Sequence, residues 1–154
     1  MATFKFRLAS VLRYRKRIKQ EKQWEIDGLI AARMLIETEI HALDQQLAHA
    51  AEAVTGEAGQ VFTALQLRLY GDYAQQLAKR IKDRVGALQE CEETIVLKRQ
   101  ELVEAMRAVK ALEQLHTRLE AKFRREQNIQ EQKSADEISQ RKFTDPETRK
   151  KVPH

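Results

Sequence analysis

Two stretches of the chain step their seam residues by three and four in strict alternation. The first runs Ile26, Leu29, Arg33, Ile36, Ile40, Leu43, Leu47, Ala50, Val54, and the second runs Tyr70, Ala74, Leu77, Ile81, Arg84, Leu88, Cys91, Ile95, Lys98, Leu102, Ala105, Val109, Leu112, His116, Leu119, Phe123. That spacing keeps one narrow stripe on one side of a helix and cannot line one face of a strand, whose period is two. Two long helices with coiled-coil seams are therefore expected. Between them, TGEAGQ (Thr55 to Gln60) sets two glycines three apart, which removes helix propensity and permits left-handed backbone angles. A turn belongs there.

Composition agrees with a thin apolar seam rather than a wide core. Of 154 residues 33% are charged and 6% aromatic, with one tryptophan, five glycines and two prolines, both prolines in the last nine residues. The expected fold is all-α: a long antiparallel two-helix coiled-coil hairpin forming a single domain over 1–154. Helix one is placed at about 5–54, the turn at 55–62, helix two at about 63–142 and a flexible tail at 143–154. Gly28, Gly71 and Gly86 each cost up to roughly 1 kcal/mol inside a helix, softening the helices without ending them.

With the turn centred near residue 59, residue i faces about 118 − i, which puts Leu12 near Met106. Helix one then runs out near position 110 while helix two continues. An overhang of about 30 residues, some 45 Å at 1.5 Å per residue, is expected at its C-terminal end.

The N-terminal stretch FKFRLASVLRYRKRIKQEKQWE combines apolar Leu8, Val11, Leu12 and Ile18 with Arg7, Arg13, Arg15, Lys16, Arg17, Lys19 and Lys22, against which Glu21 stands almost alone. In the hairpin this stretch lies beside the overhanging second helix. A solvated face, a nucleic-acid contact and an acidic protein partner all remain open for it, and the uncovered apolar residues favour the protein. At the start of helix two, Tyr70, Tyr73 and Leu77 are spaced by three and four. Tyr70 and Leu77 lie in the seam with Tyr73 beside it, so they either cap the hairpin or offer contact residues.

Nothing assembles a catalytic or metal constellation. His41 and His49 lack completing ligands, His116 occupies a seam position, the lone Cys91 reads as a small buried hydrophobe, and no glycine-rich phosphate loop occurs. A non-enzymatic chain without cofactor or metal is expected. No apolar run reaches membrane-spanning length and no signal peptide is evident, so a cytoplasmic protein is expected.

The start FKFRLASVLRYRKR resembles the N-terminal pattern of the FliJ family, the small component of the flagellar type III export apparatus, and DEISQR (Asp136 to Arg141) is similar to that family's C-terminal acidic pair followed by arginine. The resemblance implies a two-helix coiled coil akin to the central stalk of rotary ATP synthases. It implies binding to the hexameric export ATPase FliI, contact with the cytoplasmic domain of the gate protein FlhA and recycling of export chaperones, at the cytoplasmic face of the inner membrane, with no nucleic-acid partner. On that reading Arg7, Arg13, Arg15, Arg17 and Lys19 with Phe123, Arg124, Arg125 and Arg141 face the ATPase. Tyr70, Tyr73 and Leu77 face the gate, Tyr73 and Leu77 by alignment with the family's second helix. A stalk of a virulence-type injection apparatus and a generic basic coiled-coil scaffold are the alternatives.

Overall fold

The computed structural model describes residues 2–55 and 62–144. They form two helices, α1 (Ala9–Thr55) and α2 (Ala64–Thr144), packed against each other with no strand among the described residues. The all-α, two-helix expectation holds, and both helices run through their glycines unbroken. Most of the expected turn and nearly all of the expected tail lie outside the described residues.

The two helix starts are built differently. At α2, the Thr63 amide donates to Gln66 Oε1 (3.0 Å) and the Gln66 amide donates to Thr63 Oγ1 (3.2 Å), a reciprocal capping box that satisfies two otherwise orphaned donors. At α1, the first turn is closed by backbone alone, Ala9 N–H donating to the Phe6 carbonyl at 3.2 Å. Helix one begins at Ala9 rather than near residue 5. Phe4 and Phe6 alternate with the period of extended chain, which lets both rings reach α2; on a helix they would point apart.

The chain divides into two compact units, one of Arg17–Met106 and the other joining Met1–Lys16 to Arg107–His154. Within the first, the helices pair antiparallel: Lys22 Nζ with Glu101 Oε2 at 2.9 Å, Lys98 Nζ with Glu25 Oε2 at 3.1 Å, and Arg84 Nη1 with Glu39 Oε2 at 3.1 Å. Its seam buries Ile26, Leu77, Cys91 and Ile95 to between 1% and 9% exposure. The Cys91 thiol donates to the Leu29 carbonyl at 3.4 Å, which fits its expected role as a small buried hydrophobe. In the second unit Val109 is the buried aliphatic, 3% exposed, and Lys16 Nζ lies 3.6 Å from Glu113 Oε1.

The register differs from the arithmetic by a few residues. Partner numbers sum to 120 for Leu29 with Cys91 and to 123 for Lys22 with Glu101, Glu25 with Lys98 and Glu39 with Arg84, not 118. The facing helix ends, Thr55 and Ala64, sum to 119. Helical side chains lean toward their own N-terminus, so in an antiparallel pair a contact joins residues each about one position further along than their backbones. Adding two residues for that lean accounts for two of the five residues by which the ion pairs depart from 118.

Several seam positions behave unevenly. Arg84 turns out to solvent to reach Glu39, and Leu119 keeps 38% exposure. Arg33 stays half-buried, its Nε without a hydrogen-bond partner and 4.0 Å from Glu37 Oε1. Lys98 shares its ammonium between Glu25 and Glu101, and the hydrogen bond to Glu25 above all raises its pKa. Glu101 is held below the usual carboxylate range, chiefly by the hydrogen bond from Lys22.

Candidate functional site

Two surfaces carry the residues singled out from the sequence, one in each unit. In the unit containing the N-terminus, Arg7 sits in the turn before α1, with Arg13 and Arg15 on the helix; all three are exposed. Among the described residues none of them makes a hydrogen bond or ion pair through its guanidinium. The first turn of α1 holds no acidic residue, so Arg7 stands at the positive end of the helix dipole with nothing in that turn to offset it, and Arg13 and Arg15 follow in the second turn. Steps of two around a helix spread Arg13 and Arg15 onto different sides, so they sleeve α1 rather than form a single stripe. Arg17 and Lys19 continue the basic run in the other unit, Arg17 exposed and Lys19 half-buried, also without an ion pair among the described residues.

On α2 in the N-terminal unit, Phe123 is half-buried under the Phe4 ring, centroids 5.6 Å apart. His116 stands edge-on to Phe4 at 5.4 Å and to Phe6 at 4.9 Å. Arg124 is exposed and its Nη2 donates to Glu120 Oε1 at 3.1 Å, while Glu120 Oε2 lies 3.9 Å from His116 Nδ1. Arg125 is exposed, and Arg141 is exposed in the last turn of α2, where a cation suits the dipole. The structure thus brings Phe123 and Arg124 together with the N-terminal segment. Phe4 and Phe6 are members of that cluster that the seam arithmetic passes over, their signal being the Phe-x-Phe alternation ahead of a helix; His116 is a seam position whose ring partners the series does not name.

The second surface is at the start of α2. Leu65, Leu67, Leu69 and Tyr73 are exposed at 67%, 47%, 60% and 45%, an unusual density of large apolar side chains in water. Tyr70 is half-buried, edge-on to Phe62 at 5.9 Å, and an open groove of about 330 Å³ is lined by Gln66, Leu69, Tyr70 and Tyr73. Leu77, read from the sequence as a contact residue, is 1% exposed. It is a seam residue that supports the surface from beneath, because its position in the three-and-four series points it at α1. Leu65 and Leu69 were missed, although apolar residues at 65, 67 and 69 cannot all fit one helical stripe.

Among the described residues no group of three or more His, Cys, Asp and Glu side chains could hold a metal ion, and no helix is long and apolar enough to cross a membrane. The sequence profile of the family described as Flagellar FliJ protein matches residues 4–148. No curated protein and no solved structure matches the chain. With nearly its whole length matched, the chain belongs to the flagellar FliJ protein family, a family of non-catalytic components of flagellar protein export.

Proposed function

We propose that the protein binds the hexameric export ATPase FliI through its N-terminal unit, promotes its assembly and hydrolysis, and contacts the export gate FlhA through the start of α2. The observation that carries this reading is the set of exposed arginines, Arg7, Arg13 and Arg15, which have no ionic partner among the described residues and lie just before and within the first two turns of α1. Cations held against a helix dipole call for an acidic partner, and half-buried Phe123 supplies apolar area beside Arg124 and Arg125. Arg17 and Lys19 extend the same basic run. Every described side chain from Asn128 to Thr144 is exposed, including Ile129, Ile138 and Phe143, which supports reading this stretch, with Arg141, as the overhang that enters a ring.

The gate contact rests on Tyr73 with Leu65 and Leu69 around the groove, with Tyr70 at its wall and Leu77 beneath. Recycling of export chaperones and a peripheral place at the inner membrane follow from those partners. Promotion of ring assembly needs only that the chain bind the assembled ring better than free subunits.

The test is ATP hydrolysis by the purified export ATPase, titrated with the native chain and with a chain carrying Arg13→Glu, Arg15→Glu and Arg17→Glu. Stimulation by the native chain that is lost in the charge-reversed one, at unchanged helicity, is the expected result. Equal stimulation by both would remove the arginines from the contact, and none by either would reject the ATPase role.

A further inference from the structure

Ring contacts hold the Phe4-Lys5-Phe6 segment on α2. Phe4 meets His116 and Phe123, and Phe6 meets His116, at centroid distances of 4.9 to 5.6 Å. Among the described residues, no hydrogen bond or ion pair ties residues 2–5 to α2. All four rings are only half-buried. Beside Phe4 an open groove of about 620 Å³ runs along Glu120, Phe123, Arg124 and Gln127, so the segment does not fill the site it occupies.

Energetics place such an attachment near balance. Two half-buried rings gain part of their full transfer free energy, and ordering five residues of extended chain gives up backbone freedom at each one. The hinge is already present: Arg7 and Leu8 form a turn, and the Phe6 carbonyl bond to Ala9 N–H is the one backbone bond at the junction that opening would strain. Beyond it, the Leu12 N–H bond to the Leu8 carbonyl at 2.9 Å keeps α1 closed.

We infer that residues 2–6 form a displaceable strap. Closed, Phe4 and Phe6 cover His116 and Phe123; open, they bare an aromatic face beside Arg124. Opening then controls access to the apolar half of the ATPase-facing surface, a consequence that rests on the proposed function. The strap itself is a property of the chain alone.

The experiment has two arms. In the first, the His116 ring resonances of the full chain are compared with those of Phe4→Ala/Phe6→Ala, with circular dichroism confirming intact helices. The native signals should lie displaced by the ring currents of Phe4 and Phe6 and broaden through exchange on the microsecond-to-millisecond scale, while amides of α2 distant from the cluster stay put. Identical His116 signals in the two proteins would mean that the strap does not dock. A sharp native signal, with amide protection at Phe6 to Leu8 equal to that inside α1, would mean a permanent clamp; either result overturns the inference. In the second arm the purified ATPase is added. The strapless variant should bind at least about twofold more tightly, since a site available only in the open fraction has its apparent Kd raised by that fraction. Equal or weaker binding would overturn control by the strap. Binding by neither protein would reject the ATPase role and leave the strap to be judged by the first arm.

Discussion

The unit spanning Arg17–Met106 and the unit containing the N-terminus use the same two helices in different ways. The first closes its seam with aliphatic side chains, Ile26, Leu77 and Ile95 at 3% exposure or less, and flanks it with three interhelical ion pairs. The second buries Val109, leaves four rings half in water and carries Arg13 and Arg15 on α1 without an ion pair among the described residues. A seam that satisfies itself fixes structure; a cluster that stays half-wet and unneutralised is available to a partner. The contrast locates binding capacity by what the packing leaves undone.

Ile95→Ala should produce the largest loss, about 2–4 kcal/mol, because the side chain is almost fully buried and the seam cannot collapse around the cavity. Phe123→Ala, in the half-wet cluster, should cost only about 1–2 kcal/mol despite its greater size. Urea midpoints of the two variants test the contrast directly, and equal losses would break it. Next comes a gain: Arg33→Leu should stabilise the chain by about 1 kcal/mol, since it removes a buried Nε with no acceptor and restores the apolar seam. A thermal midpoint no higher than that of the native chain would mean that the Arg33 stem already packs as well as leucine.

At the start of α2, Thr63→Ala should cost about 1 kcal/mol and release amide protection over the first turn, leaving α1 unaffected. Protection unchanged at Gln66 would show that the capping box contributes nothing in solution. The smallest effect belongs to Glu101→Gln. The carboxyl is held below its usual range, so its stabilising contribution is present above the unfolded value and fades as pH falls through the folded one. The two proteins should therefore differ slightly near neutrality and converge as pH falls through the depressed folded value. Lys98 works in the opposite direction: its pKa is raised, so its contribution is present below the ordinary value of 10.5 and is lost as pH rises through the folded one. Stability curves that stay parallel through both limits would show that this ion cluster is too solvated to matter.

Much of this was legible beforehand. The seam series in the Arg17–Met106 unit is covered almost residue by residue, because a three-and-four spacing has only one way to hide in a helix pair. The Thr63-x-x-Gln66 capping signal is present in the sequence, as is the extended period of Phe4-x-Phe6, though a helix placed from about residue 5 takes in Phe6. Leu77 was taken for a contact residue although its seam position already implied burial. Arg84 lies in the seam series but escapes cover, which spacing cannot foresee, since a long polar side chain chooses between seam and solvent by which acid stands across from it.

The amino-acid sequence by itself determined two helices, their antiparallel pairing, the seam and the family, since all of these follow from period, punctuation and a motif carried along one strand of text. Only the tertiary structure decided which aromatic residues meet, which cations find an acid and which stay bare. Those outcomes depend on residues more than a hundred positions apart, such as Phe4 and His116, coming within one ring diameter. No local pattern encodes that distance, because it is set by the register of the two helices and by how far each side chain can lean.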